Sequence, residues 1–218
     1  MTPAAIGTSR FEALWRRCVS CPPSPDGAAV YADLRHLFEQ SYRRYHTLEH
    51  IRDCVRRFDE VSQFLDDRDA VELALWFHDA VYETGAATNE RRSAEMFLAL
   101  SAGARPAFRR RVCGLITATR HARRVQGNDR RFIVDIDLAG FGASWDEFMR
   151  HGALLREESS QNDDQYHAGQ VLFLSRLQRR SRFFVTDYFR DKYEAKAREN
   201  LSRLLEDLSR RGYAPPTL

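Results

Sequence analysis

The run Ala74-Leu75-Trp76-Phe77 reads as the inside of a helix, yet it is closed by His78-Asp79. An imidazole and a carboxylate side by side at the end of a buried stretch are costly to desolvate. They need partners, and a divalent cation satisfies both at once. This pair constrains the fold more than any other feature, because neighbouring elements must bring further donors to it. Two stretches carry such donors: Tyr45-His46-Thr47-Leu48-Glu49-His50, with histidines at i and i+4, and Asp135-Ile136-Asp137-Leu138. All three stretches are expected to meet at one metal site.

The apolar spacing is helical nearly throughout, which predicts an all-α protein. Ser9-Arg10-Phe11-Glu12 reads as a capping box opening a helix to about Ser20. Pro22, Pro23, Pro25 and Gly27 form a loop before a helix carrying Val30, Leu34, Leu37 and Phe38. Thr47 is placed to cap a helix through about Phe64. Asp69-Ala70-Val71-Glu72 is a second capping box, opening a central helix to about Tyr82. Further helices are expected from Thr88 or Asn89, from Pro106, from Ser144 or Asp146, over Gln165 to Arg179 and from Asp187 to Arg211. Gly212 and Pro215-Pro216 would stop the last. Phe132 to Leu138 alternates like a strand, but one strand without a partner is no sheet, so a buried helix is expected there.

At 218 residues and 43% hydrophobic the chain suits one domain, residues 1–218, with the metal-site core over about 42–142 and C-terminal helices over 144–212 packing on it. No apolar run approaches the roughly 20 residues that span a bilayer. Met1 to Arg10 lacks the pattern of a secretion signal, so a cytoplasmic location and no membrane partner are expected. The net charge of +3 is too small to imply a nucleic-acid partner. Cys18-x-x-Cys21 has no second pair to complete a zinc ribbon, so the four cysteines read as reduced thiols, Cys54 and Cys113 packed in helices. The apolar stripe Tyr193, Ala197, Leu201, Leu204, Leu205 and Leu208 packs either on the core or on a second copy in a homodimer.

Taken singly, the polar residues have plain alternatives. His46 sits among Arg43, Arg44 and Tyr45 and reads equally as solvent-facing; His50 reads as a satisfied core histidine; Asp137 reads as a helix cap. Neutral imidazole with carboxylate makes a mixed nitrogen and oxygen donor set, suited to manganese, iron, zinc, cobalt or nickel, with magnesium kept as a further choice. Between Asp135 and Asp137 the residues themselves do not choose.

Together these stretches resemble the HD-domain superfamily of metal-dependent phosphohydrolases, in which a histidine, a His-Asp pair and a distant aspartate follow in that order on helices. The resemblance covers roughly Tyr42 to Gly142 and implies a single-domain HD-type helical bundle. It implies His50, His78, Asp79 and Asp137 as ligands of a divalent metal ion, Asp137-Leu138 being similar to the family's last ligand position. Tyr45-His46-x-x-x-His50 is similar to the corresponding piece of cyclic-nucleotide phosphodiesterases, which implies His46 as general acid. His46 and Asp79 are thus the expected catalytic residues. Arg43, Arg120 and His121, with Arg44 and Arg123 nearby, are the expected substrate donors. Many two-metal members carry more histidines before the last aspartate, where this chain offers only His121, so one well-defined metal is expected. Glu83 and Glu90 read as helix-start carboxylates or as second-cation ligands.

The implied activity is hydrolysis of a nucleotide or other small phosphate ester by metal-activated water. Two alternatives stand beside it. One is a di-iron oxygenase on the same fold, needing His121 and Glu90 as extra ligands. The other is a non-catalytic domain that binds a metal or a nucleotide.

Overall fold

The computed structural model describes residues 6–122 and 125–213. Among them every regular element is helical: α1 (Thr8–Cys18), α2 (Gly27–Phe38), α3 (Leu48–Val61), α4 (Arg68–Phe77), α5 (Asn89–Leu100), α6 (Pro106–Ile116), α7 (Asn128–Leu138), α8 (Trp145–Glu158), α9 (Asp163–Gln178) and α10 (Asp187–Arg210). Pro215, Pro216 and Arg123 lie outside the described residues. No described helix is long and apolar enough to cross a membrane. The chain forms two compact units, divided after Ile136.

The first unit is built around α4. All eight residues from Ala70 to Phe77 are buried, as expected of a helix that is apolar around its whole circumference. Its aromatic end anchors the core: Trp76 meets Phe11 edge-on at 5.4 Å, Phe77 stacks on Trp15 at 6.1 Å and meets Phe97 edge-on at 5.2 Å. These offset and edge-on geometries suit the ring quadrupoles. One polar residue, Glu72, faces inward on α4, and Arg10 of α1 reaches it with Nε at 2.6 Å while gripping Asp59 of α3 with both terminal nitrogens. One guanidinium therefore ties three helices together.

Several ends differ from the sequence expectation. Gly7, not Ser9, precedes α1, and Ser9 lies inside the helix. Asp67, not Asp69, caps α4, accepting from the Ala70 amide. Asp69 is drawn off by Arg17, whose guanidinium binds it at 2.7 Å. Thr47 does cap α3, accepting from the Glu49 amide, and Ser144 caps α8. Residues 132–138 are helical as expected, but α7 begins earlier, at Asn128, inside the stretch up to Arg131 that reads as a polar loop in the sequence.

The most consequential difference is the end of α4. It stops at Phe77 rather than Tyr82. The backbone groups that would have continued it find other partners: the carbonyls of Asp79 and Ala80 accept from Arg43, the Val81 amide donates to Ser93 Oγ, and the Glu83 amide donates to Asn89 Oδ1. A helix continues only while its own ladder is the best offer for those groups. Here long-range side chains outbid it, so His78 and Asp79 sit on a turn just past the helix.

In the second unit a 3-10 turn, Ala139–Gly142, lies against α10. Asn200 of α10 donates to the carbonyls of Phe141 and Ala143. Gly142 is pressed so close that a Cβ there would fall 2.6 Å from Tyr193 Cβ. The apolar stripe of α10 is buried inside this unit at Ala197, Leu201, Leu204 and Leu208. Glu194 of the same helix accepts from the Phe183 and Phe184 amides and from Arg198.

Candidate metal centre

The site is assembled where the first turn of α3 meets the turn after α4. Both imidazoles are buried, His50 to 8% and His78 to 1% exposure, and their Nε2 atoms face each other at 3.3 Å. His78 Nε2 lies 2.9 Å from Asp79 Oδ2 and His50 Nε2 lies 3.5 Å from the same oxygen. Cys54, one turn along α3 from His50, places Sγ 3.7 Å from His50 Nε2.

The tautomer of His78 follows from its other nitrogen. Nδ1 is 2.9 Å from the Leu75 carbonyl oxygen, which only accepts, so Nδ1 carries the proton. Nε2, 2.9 Å from Asp79 Oδ2, donates to that carboxylate when the ring is protonated, and its proton is the one a cation would replace. A backbone carbonyl that orients a ligating imidazole through its far N–H is the usual outer support of a metal site. Two imidazole nitrogens and a carboxylate oxygen, all within 3.5 Å of one another, need either protons or a cation between them. Burial pushes the Asp79 carboxyl up, but positive charge on His78 and His46 and hydrogen bonds from His50 and His78 outweigh it and hold the group well below the usual carboxylate range. Asp79 is therefore an anion at neutral pH. This buried His/Cys/His/Asp cluster is a donor set able to coordinate a divalent metal.

His46 lies outside α3, before its cap, and so is not one helical turn from His50 as the sequence spacing suggests. Its ring is at the edge of the cluster instead. It stacks on Tyr82 at 3.9 Å and stands 6.0 Å from the His50 ring centre, half-buried. Arg43, expected to grip a phosphate, is 4% exposed and donates to three backbone carbonyls, those of His46, Asp79 and Ala80. Its guanidinium sits over the rings of Phe38 and Tyr82. One side chain thus clamps the His46 loop to the His-Asp turn, a positioning task.

Asp137 is in the last turn of α7, half-buried, and falls in the second unit; Asp135 is fully buried. Arg120 is exposed at the end of the 3-10 turn Thr117–Arg120, and His121 follows it half-buried with φ 54°. Glu83 is exposed and pairs with Arg92 at 3.1 Å, the bland alternative. Glu90 lies in the first turn of α5.

Cys54 was not among the expected site residues. The signal was there in its spacing: positions 50 and 54 share one face of α3. In the sequence it reads as core filling, because a buried cysteine usually is one. No family model, curated protein or solved structure matches this chain.

Proposed function

We propose that this chain is an HD-type metal-dependent phosphohydrolase acting on a nucleotide or another small phosphate ester. The observation that carries the reading is the buried cluster of His50, His78 and Asp79 with a second kind of histidine, His46, at its edge. The order of those residues along the chain supports the superfamily assignment. Asp137 is the proposed further ligand, because Asp137-Leu138 is similar to the superfamily's last ligand position.

A divalent cation in this set supplies Lewis acidity toward a phosphoryl oxygen and makes a bound water acidic enough to act at neutral pH. The chain's own residues do the rest. His78 is fixed in the tautomer that presents Nε2, through Leu75. Asp79 brings the negative charge that offsets the cation. His46, stacked on Tyr82 and tethered through its carbonyl by Arg43, hands a proton to the departing oxygen, a task histidines commonly perform. Arg120 and His121 are the proposed donors to the phosphate, and Arg43 serves it through the backbone it holds.

The test is a hydrolysis panel of phosphomonoesters, phosphodiesters and nucleotides with manganese or cobalt. Turnover is expected, abolished by chelator. His46→Ala is expected to keep its metal while losing about a hundredfold to ten-thousandfold in rate, the usual worth of a general acid. A metal-loaded protein that cleaves no member of the panel contradicts the hydrolase reading. Bound iron with a visible absorption spectrum would then favour the oxygenase, and a colourless inert metal the binding domain.

A further inference from the structure

We propose that Tyr82 is a positioning residue for His46: its ring fixes the plane of the imidazole that hands a proton to the departing oxygen. The inference rests on the hydrolase reading above and goes beyond it, because no pattern in the sequence gives residue 82 a task.

His46 lies in the loop before α3, where its carbonyl accepts from Arg43 at 3.1 Å. That bond fixes the backbone but not the torsions of the side chain. The outer torsion of a histidine is broad and two-fold, so the plane of its ring is set by its neighbours. Tyr82 is such a neighbour: the two rings stack at 3.9 Å, inclined by 25°. Tyr45 meets the same imidazole edge-on at 5.1 Å. Tyr45 is next to His46 in the chain and moves with it, whereas Tyr82 comes from the segment after α4 that also carries His78 and Asp79. The stack therefore fixes the imidazole relative to the cluster, and not merely relative to its own loop.

Tyr82 is itself held in place. The Ala80 carbonyl accepts from Arg43 at 2.8 Å, the Val81 amide donates to Ser93 Oγ at 3.0 Å, and the Glu83 amide donates to Asn89 Oδ1 at 3.1 Å. The bonds that end α4 early thus pin the chain on both sides of residue 82. Arg43, which holds the His46 carbonyl, also lies over the Tyr82 ring at 5.7 Å, so one guanidinium joins both members of the stack. A proton donor misplaced by about 1 Å costs on the order of a hundredfold in rate. A ring held in this way acts on the chemical step more than on substrate binding. Stacking uses the ring face and not the phenol oxygen, and phenylalanine presents the same face.

The test uses the full chain loaded with manganese and the most rapidly cleaved member of the hydrolysis panel. Tyr82→Leu is expected to lose about 10- to 100-fold in kcat, with KM, metal content and helical content by circular dichroism unchanged. Tyr82→Phe is expected to retain the wild-type rate. In a His46→Ala background Tyr82→Leu should cost nothing further, because the ring it acts through is gone. A second readout needs no turnover. In the metal-free chain the ring-proton NMR signals of His46, assigned by their loss in His46→Ala, should be shifted upfield in wild type and Tyr82→Phe and return towards free histidine in Tyr82→Leu. A fully active Tyr82→Leu beside an inactive His46→Ala overturns the inference and leaves the general acid standing. So does an equal loss from Tyr82→Leu in both backgrounds, and so do His46 signals that Tyr82→Leu leaves in place. A Tyr82→Phe as slow as Tyr82→Leu gives the task to the hydroxyl and overturns the stacking inference too, as does loss of metal in Tyr82→Leu. An unchanged rate in His46→Ala, or no turnover from wild type, overturns it together with the reading it rests on.

Discussion

Asp129 and Asp79 are both carboxylates withdrawn from water in the first unit, and their partners differ in kind. Asp129, 4% exposed, accepts from the backbone amides of Asp66 and Asp67 at 2.7 and 3.1 Å and from Arg111 at 2.7 Å. It stitches the start of α7 to the residues that cap α4. Its lone pairs are spoken for by donors that hold their protons at any ordinary pH. Asp79 meets imidazoles, groups that can give up their protons and present lone pairs instead. The first arrangement is complete as it stands. The second becomes complete when a cation replaces the protons. A buried carboxylate facing backbone amides and arginine is a fold element; one facing histidines is poised to bind.

The largest expected effect is on stability with and without cation. Adding zinc or cobalt at roughly a thousand times Kd should stabilise the wild-type protein by about 4 kcal/mol, by mass action on the folded state. Thermal melts should show no such shift for Asp79→Ala. A shift of equal size in that variant would erase the distinction between the two carboxylates.

Next comes the converse substitution. Asp129→Ala leaves two amides and a guanidinium without their acceptor and should cost about 2 kcal/mol, read by urea unfolding. It should leave the metal content of the folded protein unchanged. Loss of metal in Asp129→Ala would mean that the clasp and the centre are one structure.

Arg43→Ala tests the support of the centre. Its removal frees three carbonyls that now fix His46 and the His-Asp turn, and outer-shell losses of this kind weaken metal affinity by about 10- to 100-fold. Competition against a chelating indicator measures it. An unchanged affinity would confine Arg43 to packing.

The smallest effect concerns a third carboxylate, Glu194 in the second unit. Burial pushes its carboxyl up, but the Phe183 and Phe184 amides and Arg198 hold it below the usual glutamate value of 4.5. A carboxyl depressed in the folded state stabilises above its unfolded value, and that contribution fades as pH falls through the folded one. The stability advantage of wild type over Glu194→Gln should therefore be constant near neutrality and shrink below about pH 4.5. An advantage that grows on acidification would reverse the sign.

The sequence makes legible whatever depends on local spacing. The all-helical class, the Thr47 and Ser144 caps, the helix over 132–138 and the meeting of the Tyr45-to-His50 stretch with His78 all follow from periodicity or from the cost of burying paired polar groups. What stays hidden is what distant side chains decide. Three aspartates, 66, 67 and 69, compete to start α4; Asp129 takes the amides of the first two and Arg17 takes the side chain of the third, so Asp67 is left as the cap. The last turn expected of α4 is undone by Arg43, Ser93 and Asn89, none of which is close to it in a helical register. Arg43 itself carries no mark in the sequence to separate an arginine that meets a phosphate from one buried against three carbonyls. Cys54 was visible in spacing and lost to the commoner meaning of a buried cysteine.

Elemental analysis of wild-type protein and Asp79→Ala, both purified in the presence of zinc and dialysed, tests the central claim most directly. The cluster of His50, His78 and Asp79 predicts bound metal in the wild type and almost none in the variant, with equal helical content by circular dichroism. Equal metal in the two proteins would show that the cation, if one is held, is held somewhere else.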